Sequence, residues 1–579
     1  MKKLTPILTG ILLCYGSLYS QTFTRITTGD IVNDIGHSEG CSWIDYDDDG
    51  DLDMFVPNRA YQNDFLYTNN GDGTFSKITS GSIVNDGAIT VGCTWGDVEG
   101  DGDLDLFVSD HWGGNNLFYT NNGDGTFTKI TSGDIVNDGG HSMGSSWVDY
   151  DNDGDLDLFV ANAGNQKDFL YANDGSGTFT KITTSNIVKD TLETNSCSWA
   201  DFDSDGDLDL FVTCYNANRY YTNNGDGSFT EITSGGIVDD YAASHGCSAG
   251  DFDNDGDLDL FIANSYNQDN LLYRNDGNNI FYWIITGDIV HDGGDSVSSS
   301  WGDYDNDGDL DLFVTNHTGQ DNFFYRNDGN GVFTKITSVN IVTDGGESET
   351  CVWGDYDNDG DLDLYVANGG GSQDEKNFLY QNDGNSNHWI KIRCIGTVSN
   401  TTALGTVVRV KAVINGSPVW QMRQISGQTG YASQNPLNAH FGLGDATSVD
   451  SIRIEWPSGI EEVYTNVLAD KYMICTENQG ATRVDFSRNT IPGKFELFQN
   501  YPNPFNPVTT IRFNIPEADH VTLKIFDIHG RAVKTILDSP LNPGEHRVHL
   551  DAGHLSSGVY FYRLRAGDFV QTKKLILLR

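Results

Sequence analysis

The chain has 579 residues, 34 Lys+Arg against 83 Asp+Glu and a formal net charge of −49. That length exceeds one ordinary domain, and nucleic acids or anionic membranes would need clustered Lys and Arg, so both drop out as partners. Residues 21–387 carry 12 Lys+Arg and 67 Asp+Glu, residues 388–579 carry 20 and 16, and the acidity therefore belongs to the first two-thirds.

Residues 1–20 read as an export signal peptide: Lys2 and Lys3, an apolar run from Leu4 to Leu18, then Ser20 before Gln21. The run is too short to span a bilayer, and no later stretch reaches the roughly 18 to 20 apolar residues of a transmembrane helix. Leu13 stands before Cys14 where a lipoprotein signal wants a small residue.

From residue 21 to 387 the chain repeats itself. CSWIDYDDDGDLDMFV at Cys41 to Val56 returns six more times, with its first Asp at 45, 97, 149, 201, 251, 303 and 355. Within a copy, strand-length apolar runs alternate with Gly, Asn and Asp clusters and no helical period. In the third copy the pattern predicts strands at Ser145 to Asp149, Leu156 to Ala161, Phe169 to Ala172 and Phe179 to Thr183, with Asp174-Gly175 in the last hairpin. Four strands per copy at this period predict an all-β fold, a seven-bladed β-propeller. A linear β-solenoid is the alternative. The outer-strand motif separates them, because its first example, Phe23 to Thr27, precedes the first inner set and should complete blade seven.

Each copy carries an acidic loop of the form D-x-D-x-D-G-D-L-D. The candidate metal ligands are Asp45, Asp47, Asp49, Asp51 and Asp53; Asp97, Glu99, Asp101, Asp103 and Asp105; and Asp149, Asp151, Asp153, Asp155 and Asp157. They continue with Asp201, Asp203, Asp205, Asp207 and Asp209, then Asp251, Asp253, Asp255, Asp257 and Asp259. The last two sets are Asp303, Asp305, Asp307, Asp309 and Asp311, and Asp355, Asp357, Asp359, Asp361 and Asp363. Carboxylates at positions 1, 3, 5 and 9, with a carbonyl at 7 and Gly at 6, can wrap a calcium ion, a hard cation taking six to eight oxygens. No His or Cys enters the loops, which disfavours transition metals there. The expectation is up to seven structural Ca2+ ions. Asp-Gly turn formation is the alternative explanation, but a turn does not need so many like charges.

The copies resemble the FG-GAP or VCBS repeats of the integrin α-type β-propeller through W-x-D-x-D-x-D-G-D-L-D-L-F-V. Blade five departs, with Ala249 in place of Trp. The resemblance implies structural calcium loops and ligand binding on the loops of one face. Cys41, Cys93, Cys197, Cys247 and Cys351 share one slot with Ser145 and Ser299, so they read as small buried residues in units too far apart to pair. Cys214, Cys394 and Cys475 are left as possible partners.

Residues 388–480 form a further small β-domain. His440-Phe-Gly-Leu-Gly444 and Trp456-Pro-Ser-Gly459 resemble the ASPIC/UnbV module of cartilage acidic protein-like chains. After a linker at 481–494, residues 495–579 begin FELFQNYPNPFNP and end KKLILLR. They resemble the type A C-terminal sorting domain of the type IX secretion system, an Ig-like β-sandwich, which implies that machinery as a partner and a secreted or outer-membrane surface-attached protein.

Eight residues before each loop lie His37, Ile89, His141, Glu193, Ala243, Asp295 and Glu347, expected at the channel mouth, with His245 out of register. Such groups could do acid/base work or bind a second metal, or could be solvated edge residues. With no nucleophile elbow, zincin or P-loop signature, no catalytic residue is assigned. The leading reading is an adhesion or recognition platform for an extracellular glycan or protein. Its specificity would come from Tyr61 to Asp64, His111 to Asn115, Tyr215 to Arg219 and His317 to Asp321. The alternative is a secreted polysaccharide lyase or hydrolase on the same scaffold.

Overall fold

The computed structural model describes residues 22–369, 374–484 and, with short breaks, 494–577. The expected signal peptide and most of the expected linker lie outside the described residues.

Seven four-stranded antiparallel sheets follow one another in the chain. In the third, the strands are Ser142–Val148, Asp157–Asn162, Phe169–Asn173 and Phe179–Ile182. The inner strand starts three residues before the expected Ser145, because a bulge between Ser142 and Ser145 lets pairing with the second strand continue. The ring closes as the strand count requires. Phe23–Arg25 pairs antiparallel with Phe378–Asn382 and completes the seventh sheet.

Two side chains repeat the joint between blades. An Asn at the end of each third strand donates to a carbonyl of the preceding blade, at 2.7 to 2.9 Å, from Asn121 to Tyr46 round to Asn69 on Tyr356. The Trp of the inner strand packs against its neighbour, where Trp147 Nε1 bonds the Thr94 carbonyl at 3.1 Å. One turn of helix after each outer strand buries an Ile-Val pair, such as Ile135-Val136. Sequence periodicity missed these turns because three or four residues are too few to show a period.

The described cysteines are all free and buried. Burial, with the thiols of Cys93 and Cys351 adding to it, lifts the Cys41 thiol well above its ordinary range, and the cysteines of the shared slot are unpaired as expected. Cys394 and Cys475 lie directly opposite one another on adjacent parallel strands.

The second β-region has two four-stranded sheets. One holds Asn438–Gly444, His388–Ile395, Lys471–Thr476 and Gly480–Val484, and the other holds Ser417–Gln424, Val407–Ile414, Ser448–Glu455 and Glu461–Leu468. They enclose a core that includes Ile390, Val410, Phe441 and Ile452. The region docks on the acidic-loop face of the propeller. The N–H of Gly442 donates to Asp303 at 3.0 Å, that of Gly444 to the Asn306 carbonyl at 2.8 Å, and His440 Nε2 lies 3.0 Å from the Gly360 carbonyl. The H-F-G-L-G motif is thus a docking edge for the loops of blades six and seven. Residues 486–579 form a separate compact unit, with sheets of three and four strands around Phe513, Leu523, Tyr562 and Leu564.

The connection from Ile425 to Leu437 runs into the central channel. Gln428 Nε2 bonds Ser196 Oγ at 2.7 Å, the N–H of Tyr431 bonds Ser298 Oγ at 3.0 Å, and Gln434 Oε1 accepts the N–H of Trp95 at 2.7 Å. Tyr431 is 1% exposed, among Val91, Met143 and Val297. The strap needs small channel walls: a Cβ on Gly40 would lie 2.6 Å from the Ala432 carbonyl oxygen, and one on Gly246 2.9 Å from the carbonyl carbon of Gly430. At blade five, where Ala249 replaces Trp, Met422 joins the core and a cavity of about 140 Å³ remains. Tyr431→Ala is expected to lower unfolding stability by about 3 to 5 kcal/mol, as buried aromatic truncations do. Denaturant unfolding of the full chain measures it, and a loss under 1 kcal/mol would show that the strap does not hold the ring.

Candidate metal loops and funnel site

The acidic loops share one geometry. In the third, Asp149 accepts the N–H groups of Asp153 and Gly154, each at 3.1 Å, which wraps the loop around its first carboxylate. Asp157 ends the loop, accepting the N–H of Asn173 at 2.8 Å. The fourth loop residue takes the left-handed backbone conformation in Asp48, Gly100, Asn152, Ser204, Asn254, Asn306 and Asn358, which explains the Asn and Gly there. Several of these side chains reach the seventh-position carboxylate of the next blade. Asn306 bonds Asp361 at 2.9 Å, and Asn358 bonds Asp51 at 2.7 Å across the closure.

Carboxylate oxygens of Asp149, Asp151 and Asp157 come within 4.8 Å of one another, as do those of Asp45, Asp47 and Asp53 and of Asp303, Asp305 and Asp311. In Asp201, Asp203 and Asp205, and in Asp251, Asp253 and Asp255, the first, third and fifth positions meet instead. The Oδ1 atoms of Asp47, Asp151, Asp203, Asp253 and Asp305 are buried with no hydrogen-bond partner. Burial, reinforced by the neighbouring carboxylates, pushes Asp149 up to about 7 and Asp157 to about 9. In the second loop burial and then Glu99 push Asp105 up to about 9. Converging, unpartnered, protonation-prone oxygens suit a hard cation. In the seventh loop Lys391, 3% exposed in its side chain, sits 2.8 Å from Asp355.

The opposite face carries a funnel. At the start of its mouth seven backbone bonds repeat, from the N–H of Arg59 to the His37 carbonyl at 2.8 Å round to Gly369 on Glu347 at 2.9 Å. These bonds bring the expected ring, His37, Ile89, His141, Glu193, Ala243, Asp295 and Glu347, against a second ring just after the second strands: Arg59, His111, Ala163, Tyr215, Ser265, His317 and Gly369. Two residues further along the inner strands lie Glu39, Val91, Met143, Asn195, His245, Val297 and Glu349. His245 is in register with Glu39 and Glu349. The six-residue offset from the loop Asp, rather than eight, would have found it.

The strap closes the funnel, and the His245 ring lies 4.3 Å from Tyr431. Arg59 bonds Glu39 at 2.7 Å, and His317 contacts Glu349. Burial, then Glu349, pushes Glu39 up to about 8 despite Arg59. Burial opposes the protonated form of His317, but Glu349 overcomes it and lifts the group to about 9. Burial alone dominates at His245, lowered to about 3, and at His111, lowered to about 4. Around the mouth stand Tyr61, Trp112 and Tyr266, 75%, 68% and 67% exposed. All three have positive φ, at 59°, 66° and 61°. Tyr266 lies outside the segments singled out in the sequence.

Comparison with known proteins agrees with this architecture. The FG-GAP-like repeat model matches residues 45–108, 97–160, 149–212, 201–262, 251–314 and 305–366, more than half of the chain. The chain belongs to the FG-GAP-like repeat family. The ASPIC and UnbV model matches residues 396–482, and the secretion system C-terminal sorting domain model matches 499–578. Cartilage acidic protein 1 of Mus musculus is 27% identical over 164 residues, which are 27% of this chain and 25% of that protein. The match therefore spans about a quarter of that relative's length. A lectin of Agrocybe aegerita that recognises non-reducing terminal N-acetylglucosamine aligns at 20% identity and TM-score 0.36, over 54% of this chain and 79% of that one. PorZ of Porphyromonas gingivalis, a surface component of the type IX secretion system, aligns at 12% identity and TM-score 0.29, over 94% and 82%. The sorting domain makes this a protein secreted and attached at the cell surface. No helix among the described residues is long and apolar enough to cross a membrane.

Lys391→Met should destabilise the chain by about 3 to 5 kcal/mol, because it strips the counter-charge from the buried Asp355. Denaturant unfolding in calcium-containing buffer checks this, and a Lys391→Met, Asp355→Asn double variant should recover part of the loss.

Proposed function

We propose that the protein is a calcium-stabilised recognition propeller that captures an extracellular saccharide on the face opposite its acidic loops. The observation that carries this reading is the set of three exposed aromatic side chains at the funnel mouth, Tyr61, Trp112 and Tyr266, all in left-handed backbone conformation. A bulky residue pays strain in that region, and such outliers persist where function retains them. Aromatic faces stack on the apolar faces of sugars, and the funnel supplies polar groups below them. Tyr215, 6.3 Å from Tyr266, links the rim to His245.

A second reading is a polysaccharide lyase or hydrolase at the same funnel. Glu39, raised to about 8, and His245, lowered to about 3, lie in one ring of the funnel and favour it, because titrating groups pushed apart in one site are the mark of acid/base assignments. Size-exclusion chromatography of a panel of soluble polysaccharides with the calcium-loaded protein separates the two. Co-elution without shortening supports recognition; shortened products abolished by His317→Ala support the enzyme. For recognition, Trp112→Ala and Tyr266→Ala should each weaken binding about tenfold, the equivalent of about 1.4 kcal/mol. Unchanged affinity in both would refute the aromatic rim.

In this reading up to seven calcium ions sit in the acidic loops and act on stability. Each site contributes about 2.7 kcal/mol at a hundredfold excess of calcium over Kd. Excess chelator should therefore lower the melting temperature markedly in scanning calorimetry. An unchanged melting temperature would remove calcium from the proposal.

A further inference from the structure

The floor of the funnel brings side chains from three successive blades together. His245 comes from the inner strand of blade five, His317 from just beyond the second strand of blade six, and Glu349 from the inner strand of blade seven. His245 is 7% exposed and Glu349 1%. The His245 and His317 rings lie 6.4 Å apart, and His317 Nε2 touches Glu349 Oε1. His317 and Glu349 are thus paired with one another, whereas Nδ1 of His245 is buried with no hydrogen-bond partner. A buried ring nitrogen left without a partner beside this ion pair is a place for a ligand atom.

Two imidazole nitrogens and one carboxylate oxygen form the donor set of a borderline divalent metal ion, and three protein ligands leave coordination positions open. The surroundings fit. Glu39 is held by Arg59 at 2.7 Å, and Glu349 is the carboxylate in contact with His317. The outer ring adds the acids Glu193, Asp295 and Glu347, which draw cations toward the mouth. We infer that His245, His317 and Glu349 bind one divalent transition-metal ion, of the zinc class, at the floor of the funnel. This site is separate from the all-oxygen loops on the other face. Open positions on such an ion would accept hydroxyl or carboxylate oxygens of a ligand. That last step rests on the proposed saccharide reading; the metal site does not.

The test uses the full chain in excess calcium, with zinc alone as the probe. After equilibration with a small molar excess of zinc and dialysis against calcium buffer, metal analysis by mass spectrometry should find one zinc per chain. His245→Ala, His317→Ala and Glu349→Gln should each weaken zinc binding by more than about 100-fold, the upper end of what loss of a ligand-orienting partner costs. His291→Ala, an exposed histidine outside the funnel, should leave the zinc count unchanged. Cobalt in the unsubstituted protein gives a readout that does not depend on a variant's folding: visible bands of a four- or five-coordinate nitrogen-ligated ion. No zinc retained against calcium, zinc retained equally in the His245 and His317 variants, or a cobalt spectrum like that of the aqueous ion would each overturn the site. Saccharide binding without zinc would leave the recognition reading standing, and zinc binding without saccharide would leave the metal site standing.

Discussion

Seven aspartates with almost no solvent exposure organise the ring: Asp53, Asp105, Asp157, Asp209, Asp259, Asp311 and Asp363. Each closes an acidic loop and opens a second strand. Its Oδ1 accepts the N–H of the Asn that ends the third strand, at 2.7 to 2.8 Å, and that Asn reaches the preceding blade through its amide. One charged group thereby fixes the loop, the hairpin and the joint between blades. Its burial is tolerable only because hydrogen bonds surround it and the loop can recruit a counter-charge. The propeller's cohesion and the capacity of its loops to hold a cation therefore meet at the same atoms.

The strap from the second β-region turns an annulus into a cup. A seven-bladed ring leaves a channel along its axis, and here small inner-strand residues leave room for backbone rather than for larger side chains. Ile425 to Leu437 occupies that room through hydrogen bonds to several different blades. No ligand passes through; what enters the mouth meets Tyr431. The two faces consequently divide the work: one is covered by the docked module and holds the acidic loops, the other displays aromatic and ionisable side chains to solvent.

Much of this was legible in the sequence, for a physical reason. A slot that serves the same packing or ligand geometry in every blade recurs at a fixed interval, so the acidic loops, the hairpins and the outer strand that closes the ring could be read directly. The strap could not, because it is a single segment without periodicity whose partners lie far off in the chain, 133 residues apart for Tyr431 and Ser298 and 333 for Thr94 and Gly427. Its trace is indirect, in the small residues Gly40, Gly92, Gly144 and Gly246 of one inner-strand slot. The funnel was half legible. The mouth ring was expected, but the ring below it was missed because a bulge in the inner strand shifts which residues face the axis.

That bulged stretch also shows how a repeated scaffold hosts an unrepeated site. The seven bonds from Arg59 to His37 and onward constrain only backbone atoms, so the side chains at those positions are free to differ between blades. They do differ, as His37 and Ile89 or Arg59 and Ala163 do, and so does the ring two residues on, where blades two and three offer Val91 and Met143 and blades one, five and seven offer Glu39, His245 and Glu349. The strap that fills the channel is itself unrepeated, so blades that meet different parts of it carry different side chains, as Val91, Met143 and Val297 do around Tyr431. Blade five follows the same logic on the other face, where Ala249 gives up the repeated Trp and the docked module supplies Met422 in its place. Departures from the repeat thus mark where the ring meets unrepeated parts of the chain, Tyr431 at the funnel floor and Met422 at blade five.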